Sequence, residues 1–334
     1  MEHYKYPSIR VFRSVVHNVK SQSEYVGQDE NDEAVVDTTL GKPTLTFTGT
    51  VKLHGTNASV VYIESTGECY AQSKARVLTL EKDNYNFAAN LAYYPSDYMY
   101  IFNNIIKAIP TADVMVVYGE WCGGSIQKSV ALNKLQQQFI IFDILVDGVW
   151  LDITEIDTGT IRKITDFPTF SIDIDFENAA ASTNRLIDIT NAVEETCPVG
   201  LALGVSGTGE GVVWSHNDGK NVHRFKVKGE KHSVSKVKKL AAVDPEKLAS
   251  ITEFTEYAVT ENRLEQGIEV LFTAENRDPT LNDIGNFIAW VRADVLREEI
   301  DTLKASNLKP KDVTSSINMH TRKWFIRNFV EVGY

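Results

Sequence analysis

Short runs of β-branched, aromatic and alternating apolar residues recur along the first two thirds of the chain. Such runs predict β-strands when Gly, Asn or Asp bounds them. The runs expected to form strands are residues 44–51, 59–63, 114–118, 139–145, 211–214 and 222–227. Residues 85–108 show helical spacing interrupted at Pro95, which predicts two helical pieces, because proline cannot sit inside a regular helix. The acidic residues 29–33 predict a solvated loop.

From about residue 235 onward the pattern becomes helical. Apolar residues recur along one helix face, at Ile284, Phe287, Ile288, Val291 and Val295. Residues 313–330 predict a last helix. The chain is therefore expected to be an α+β protein, with one domain over residues 1–234 and a small all-helical domain over residues 235–334.

Composition fits this two-domain organisation and excludes several classes of protein. The 334 residues carry 34 Lys and Arg against 45 Asp and Glu, for a net charge of −11, and 43% are hydrophobic. This composition is globular, and the length suits two domains. No apolar run approaches the roughly 20 residues that cross a bilayer, and residues 1–7 lack the apolar core of a secretory signal. With three well-separated cysteines, we expect a reduced, cytoplasmic protein without membrane contact.

The acidic average conceals one basic segment. Residues 218–240 contain seven Lys and one Arg against one Asp and one Glu, so their local charge is 8 − 2 = +6. Charge runs usually form a solvated face. Residues 231–239 could instead hold a nucleic-acid backbone, which draws on clustered Lys and Arg.

Residues 52–57 form the most informative motif. They read K-L-H-G-T-N and follow directly on the strand predicted over residues 44–51. A lysine at a strand end can direct its amine into a pocket as a nucleophile, while Gly55 lets the backbone approach a phosphate. A lone K-x-x-G is more often a surface turn. Chance occurrence of all five fixed residues is on the order of one in ten thousand for a chain of this length.

The K-x-H-G-T-N motif resembles motif I of the covalent nucleotidyltransferases, in the form found in the RNA ligase 2 family of phage and RNA-editing ligases. DNA ligases and mRNA capping enzymes usually have Asp at the position of His54. The resemblance implies an ATP-grasp-like nucleotidyltransferase domain built of antiparallel sheets. It also implies that Lys52 is the nucleophile, that His54 assists the ATP step and that Asn57 acts on the RNA end.

Candidates for the later motifs follow in the family's order. Residues 117–128 resemble motif III, which implies that Glu120 binds the ribose of AMP. Residues 139–144 resemble motif IIIa, which implies that Phe142 stacks on adenine. Val51, next to the nucleophile, is expected beside the nucleotide. Each match alone is weak.

The last two motifs supply charged residues. Residues 210–213 resemble motif IV, which implies that Glu210 holds the metal ion. Residues 225–228 resemble motif V, which implies that Lys226 and Lys228 contact the phosphates. The order of all these motifs, on predicted strands, carries the resemblance.

Motif Ia has two candidate residues. Lys74 aligns best with the position where the family has Arg, and Arg76 lies two residues further on. Arg and Lys are not equivalent at a phosphate site, so both remain candidates for the nucleotide contact.

The resemblance implies three chemical steps. Lys52 attacks ATP and releases pyrophosphate, AMP passes from Lys52 to the 5′-phosphate of an RNA, and the 3′-OH of another RNA end displaces AMP. It implies ATP and Mg²⁺ as cofactors, with Mn²⁺ as the alternative metal. The expected partner is RNA with 3′-OH and 5′-phosphate ends, and the expected state is a monomer, in the host cytoplasm if the source is a phage.

Three alternatives stay open at this point. A DNA ligase or a capping guanylyltransferase is disfavoured by His54 and by the helical pattern after residue 240, where those enzymes carry a β-barrel. A catalytically inactive RNA-binding relative would not need to keep Lys52. The sequence leaves open whether the RNA is a nicked duplex, a broken tRNA or single strands. The resemblance does not extend to residues 1–43.

Overall fold

The structure is a computed structural model that describes residues 1–30, 33–124, 126–127, 129–219, 221–232, 251–272, 279–305 and 308–329. Its strands, in chain order, are β1 (Arg10–Val11), β2 (Tyr25–Gln28), β3 (Ala34–Val36), β4 (Thr44–Lys52), β5 (Thr56–Ile63), β6 (Glu68–Ser73), β7 (Val114–Cys122), β8 (Gln138–Val146), β9 (Val149–Trp150), β10 (Arg162–Lys163), β11 (Phe170–Asp175), β12 (Gly211–Asn217) and β13 (Val222–Lys228). Its α-helices are α1 (Phe12–Glu24), α2 (Phe87–Tyr93), α3 (Pro95–Ala108), α4 (Thr183–Glu195), α5 (Pro198–Ala202), α6 (Ile251–Ala258), α7 (Glu261–Leu271), α8 (Ile284–Glu298), α9 (Ile300–Ala305) and α10 (Pro310–Phe329).

The chain forms two compact units. The first comprises Met1–Ile9, Thr46–Ile172 and Ile189–Val222. The second comprises Arg10–Leu45, Asp173–Asp188 and His223–Tyr334. Antiparallel strands and C-terminal helices confirm the predicted α+β class. The domain boundary predicted at residue 234 falls within residues 233–250, outside the described residues, and stays a prediction.

The first unit contains a six-stranded sheet in the order β10-β8-β7-β5-β6, with β9 also paired to β8. Strands β5 to β8 run antiparallel to their neighbours, and only the short β10 pairs parallel with β8. A second antiparallel pair joins β4 to β12, with Lys52 opposite Gly211. The pairing of β4 with β12 and the pairings within the six-stranded sheet determine where the candidate site residues lie.

The two faces of the six-stranded sheet are covered differently. On one face, aromatic residues of α2 and α3 pack on the strands: the Phe87 ring lies 5.4 Å from Trp121 and 5.0 Å from Phe139, and Phe102 lies 5.2 Å from Tyr62. Alternate strand residues point to the other face. On that face lies a cluster of buried residues, formed by the strand residues Val61, Tyr70, Val116 and Tyr118 and by Tyr6, which comes from outside the sheet.

The helices of the second unit bury a core of their own. It consists of apolar residues from α6, α7, α8, α9 and α10, together with the segments that join them, among them Phe254, Leu264, Phe287, Val291, Leu303, Ile317 and Phe325. A fully buried cation, Arg263, lies beside this core. Its guanidinium pairs with Asp294 at 3.0 Å and with Glu299 at 3.2 Å, and it also donates to the carbonyl oxygen of Ala258.

Most predicted elements are present. Pro95 starts α3 directly after α2, as the break in the helical pattern predicted. The apolar face predicted around Phe287 and Val291 lies on α8 and is buried. The last helix is α10, which ends at Phe329, while residue 330 lies outside the described residues. In the part of the chain that the structure describes, no helix combines the length and apolar character needed to span a bilayer.

Candidate active site

The register of two strands brings the predicted nucleophile and the predicted metal ligand together. Lys52 ends β4, and Gly211, opposite it, begins β12. Glu210, one residue earlier, is therefore placed beside Lys52. The Lys52 amine donates a hydrogen bond of 2.7 Å to Oε2 of Glu210. The Lys52 side chain is 22% exposed and that of Glu210 is 1% exposed, so the amine is reachable while its partner is buried.

His54 shares the same carboxylate oxygen. Its Nδ1 lies 3.1 Å from Oε2 of Glu210, and an ionised carboxylate can only accept, so Nδ1 carries the hydrogen in this contact. Glu210 thus receives hydrogen bonds from two groups of the K-x-H-G-T-N motif. Chemically, this is a primary amine at the end of a strand, held by a carboxylate that an imidazole also contacts.

A backbone contact fixes the loop after β4 against Glu120. The Gly55 amide donates to Oε1 of Glu120 at 2.9 Å. A Cβ on Gly55 would lie 2.3 Å from the carbonyl oxygen of Trp121, so only glycine allows this close approach. Burial raises the pKa of Glu120; the charges of Lys52 and His54 and the Gly55 hydrogen bond oppose that rise, and the charge of Glu210 adds to it.

Three further residues of the first unit lie next to this motif or contact it. Val51 is buried on β4, opposite Val212. Asn57 lies on β5, opposite Glu120 on β7. Gln127 was not singled out from the sequence, yet its amide donates to the carbonyl oxygen of Gly55 at 3.0 Å. A glutamine in the 15 residues between β7 and β8 gives no sequence signal of such a contact.

Phe142 lies at an irregularity of β8. The register between β7 and β8 shifts so that Tyr118 faces Asp143 while Gly119 faces Ile141. Phe142 is the extra residue of this bulge, and a bulge redirects side chains. The Phe142 ring is half-buried and packs against the cluster around Tyr6 and Tyr118. Sequence reasoning missed Tyr6, because an aromatic residue ahead of all predicted strands carries no pattern.

The two candidates of motif Ia are both exposed, just after β6. Arg76 donates to the carbonyl oxygens of Lys82 and Asp83 in its own loop. Lys74 lies two residues before it in the same turn. Their alternative roles remain predictions.

The two predicted phosphate-binding lysines lie in the second unit, on β13. Lys226 is opposite Val11 of β1 and forms an ion pair of 2.9 Å with Glu298 of α8. Burial raises the pKa of Glu298, but the charge and hydrogen bond of Lys226, together with those of Arg297, outweigh it, so the pKa lies below its ordinary value. Lys228 is half-buried. Of the basic residues 231–239, those from 233 onward lie outside the described residues.

The donor set in the first unit fits a divalent cation that is bound mainly through its substrate. Among the described residues no three His, Cys, Asp or Glu side chains form a metal-binding cluster. Mg²⁺ commonly takes only one or two protein carboxylates and completes its shell with water and substrate phosphates. The buried carboxylate of Glu210 fits that role.

Solved structures of one RNA ligase resemble the chain at low sequence identity. They come from Naegleria gruberi, and all three are 17% identical to this chain. A lysine-to-methionine variant with AMP and Mn matches over 68% of this chain and 56% of that chain, with a TM-score of 0.42. A complex with PPi matches over 67% of this chain and 56% of that chain (TM-score 0.41), and an aspartate-to-alanine variant without ligand over 68% of this chain and 55% of that chain (TM-score 0.42). This chain thus spans just over half the length of those ligases. Among curated proteins no match was found.

The family profile of RNA ligases matches residues 45–228, which is more than half of the 334 residues. All motifs assigned from the sequence, from residues 52–57 to residues 225–228, lie inside this range. The resemblance inferred from those motifs is therefore confirmed at the level of the family. The chain belongs to the RNA ligase family.

Proposed function

We propose that the protein is an ATP-dependent RNA ligase of the RNA ligase 2 type, which joins a 3′-OH to a 5′-phosphate through a lysyl-AMP intermediate. The observation that carries this proposal is the Lys52 amine, partly exposed and 2.7 Å from Glu210 at the end of β4. Membership of the family and the contacts of His54, Gly55 and Glu120 around it support the same assignment.

In the first step the neutral Lys52 amine attacks the α-phosphorus of ATP. An N–P bond forms, the bond to the bridging oxygen breaks, and pyrophosphate leaves. The nearby carboxylate of Glu210 favours the charged ammonium, so the amine must lose a proton before it attacks. A divalent cation on Glu210 would neutralise that carboxylate and the phosphate oxygens. Lys226 and Lys228 are proposed to offset the negative charge that develops on the phosphates.

In the second step the 5′-phosphate oxygen of the RNA attacks the same phosphorus, so the N–P bond breaks and Lys52 regains its amine. In the third step the 3′-OH attacks the 5′-phosphate and AMP leaves. Asn57 is proposed to act on the RNA end and Glu120 on the ribose of AMP, while Val51, Phe142 and one of Lys74 and Arg76 would contact the nucleotide. Residues 1–234 would form the adenylyltransferase domain.

The test is covalent labelling of the full chain with α-labelled ATP and Mg²⁺, followed by denaturation. We expect label on the polypeptide from ATP and none in Lys52→Ala. Lys107→Ala is a matched control, because Lys107 is exposed on α3, where its amine donates to Asn104; this variant should label like the unaltered chain.

Other outcomes would replace the proposal. Label from GTP alone would indicate a capping guanylyltransferase. No label from either nucleotide, with folded protein and metal present, would leave an inactive RNA-binding relative. When label is found, RNA with 3′-OH and 5′-phosphate ends should be sealed, and comparison of a nicked duplex with single strands identifies the preferred substrate.

A further inference from the structure

Segment 1–9 is bound to the six-stranded sheet by a series of hydrogen bonds. The Tyr4 amide donates to Oε1 of Gln72 at 3.0 Å, and Nε2 of Gln72 donates back to the Tyr4 carbonyl oxygen at 2.5 Å. The same carbonyl oxygen accepts from the Tyr118 hydroxyl at 3.0 Å, and the Glu2 carbonyl oxygen accepts from Tyr70 at 2.9 Å. Gln72 is 1% exposed, so these contacts hold a defined backbone path across the sheet.

That path ends in a buried tyrosine. Tyr6 is 7% exposed, and its hydroxyl donates to Oδ2 of the buried Asp143 at 2.9 Å. Its ring centre lies 5.0 Å from that of Phe142, at an interplanar angle of 68°. It also lies 5.1 Å from Tyr118 and 5.6 Å from Trp150. These distances are typical of edge-to-face aromatic pairs.

The bulge in β8 explains why one side chain can hold two consecutive residues. In a regular strand Phe142 and Asp143 would point to opposite faces. Here Asp143 lies opposite Tyr118, and Phe142 is the inserted residue, so both reach the face that Tyr6 covers. The Tyr6 hydroxyl binds one of them and the ring contacts the other. A bulge is locally irregular. The contacts of Tyr6 with Asp143 and Phe142 fix the orientation of the Phe142 ring.

We propose that Tyr6 is a positioning residue that orients Phe142 for stacking on the base of ATP, so that segment 1–9 sets the affinity of the enzyme for its nucleotide. This inference rests on the proposed function, in which Phe142 contacts the base. Tyr6 itself takes no part in the transfer of AMP. Its loss therefore weakens ATP binding and leaves the rate at saturating ATP unchanged.

The test measures lysyl-AMP formation in single turnovers over a range of ATP concentrations. In Tyr6→Leu we expect the half-saturating ATP concentration to rise by about two- to tenfold, the range that an aromatic pair contributes. The maximal rate should stay within about twofold of that of the unaltered chain. Tyr6→Phe keeps the ring and loses only the hydrogen bond to Asp143, so its shift should be smaller.

The matched control is Tyr100→Phe. The Tyr100 hydroxyl also donates to a carboxylate, Asp157, at 2.6 Å, but Tyr100 is exposed and lies on α3, which packs on the other face of the sheet from Phe142. This variant should bind ATP like the unaltered chain. If Tyr6→Leu does not fold, the half-saturating ATP concentrations of Tyr6→Phe and Tyr100→Phe are compared instead. Equal values in these two variants would contradict the proposal.

A double-mutant cycle separates positioning from general stability. In a Phe142→Leu background, Tyr6→Leu should cause little further loss of ATP affinity, because the ring it orients is gone. The inference would be overturned if the losses of ATP affinity in Tyr6→Leu and Phe142→Leu were additive. It would also be overturned if Tyr6→Leu left the half-saturating ATP concentration unchanged or lowered only the maximal rate. No adduct in the unaltered chain would overturn the proposed function and this inference with it, whereas an adduct with unshifted affinity in Tyr6→Leu overturns the inference alone.

Discussion

Replacing Gly55 with alanine tests whether the loop after β4 is fixed by its close packing on β7. The new Cβ would lie 2.3 Å from the Trp121 carbonyl oxygen and 2.7 Å from Cβ of Cys122. Favourable contacts between such atoms begin at about 3.5 Å, so the loop would have to move by about 1 Å. Neither neighbour can swing away, because one is backbone and the other is a buried residue.

A movement of that size has two consequences. It breaks or stretches the hydrogen bond from the Gly55 amide to Glu120, 2.9 Å in the structure, and it displaces Lys52 three residues earlier. A misplacement of about 1 Å at a reacting group costs on the order of a hundredfold in rate. Overpacking of this half-buried loop should also lower the free energy of unfolding by about 1–3 kcal/mol.

The assay combines single-turnover lysyl-AMP formation with thermal unfolding of the same preparation. Gly285→Ala is the control, because this glycine lies on helix α8 with no atom within 4 Å of the added Cβ. Because Gly285 is only the second residue of the helix, alanine there should raise the free energy of unfolding by less than the roughly 0.5–1 kcal/mol expected in a helix interior. If Gly55→Ala formed lysyl-AMP within twofold of the unaltered rate and unfolded at the same temperature, the argument from close packing would be wrong.

Three further predictions concern charge. Burial raises the pKa of Glu120, so its ionised form destabilises the fold. Glu120→Gln should therefore become more stable relative to the unaltered chain as the pH rises above 4.5, the ordinary pKa of a glutamate. Denaturant unfolding at several pH values, with chelator present, measures this difference. Arg263→Met leaves the buried Asp294 and Glu299 without their cation and should cost about 3–5 kcal/mol of unfolding free energy, whereas the exposed Arg322→Ala should change it by less than about 0.5 kcal/mol. If the basic residues 231–239 hold RNA, ligation should fall more steeply with salt than lysyl-AMP formation, and equal salt dependence would exclude that role.

The strands and helices were largely predictable because local pattern determines them. The alternation in residues 44–51 predicted β4, and the structure extends it only to Lys52. The helical spacing on both sides of Pro95 predicted α2 and α3. β6 was missed because it mixes charged, polar and small residues. β11 was missed although its apolar residues, Phe170, Ile172 and Ile174, alternate with Ser and Asp, which is a strand pattern.

The site could be predicted only in part. The motifs singled out Lys52 and Glu210 as candidates, but their 2.7 Å contact depends on the pairing of β4 with β12 across 158 residues of sequence. Register between distant strands is a tertiary property that composition and periodicity do not encode. The bulge at Phe142 and the tyrosine that packs on it were invisible for the same reason.

The central claim is that Lys52 carries AMP. The most direct measurement is intact-mass analysis of the full chain after incubation with ATP and Mg²⁺, followed by peptide mapping of the modified residue. The account predicts the added mass of one AMP per chain, located on Lys52 and lost when 5′-phosphorylated RNA is supplied. An unmodified chain, or AMP attached to a different residue, would contradict it.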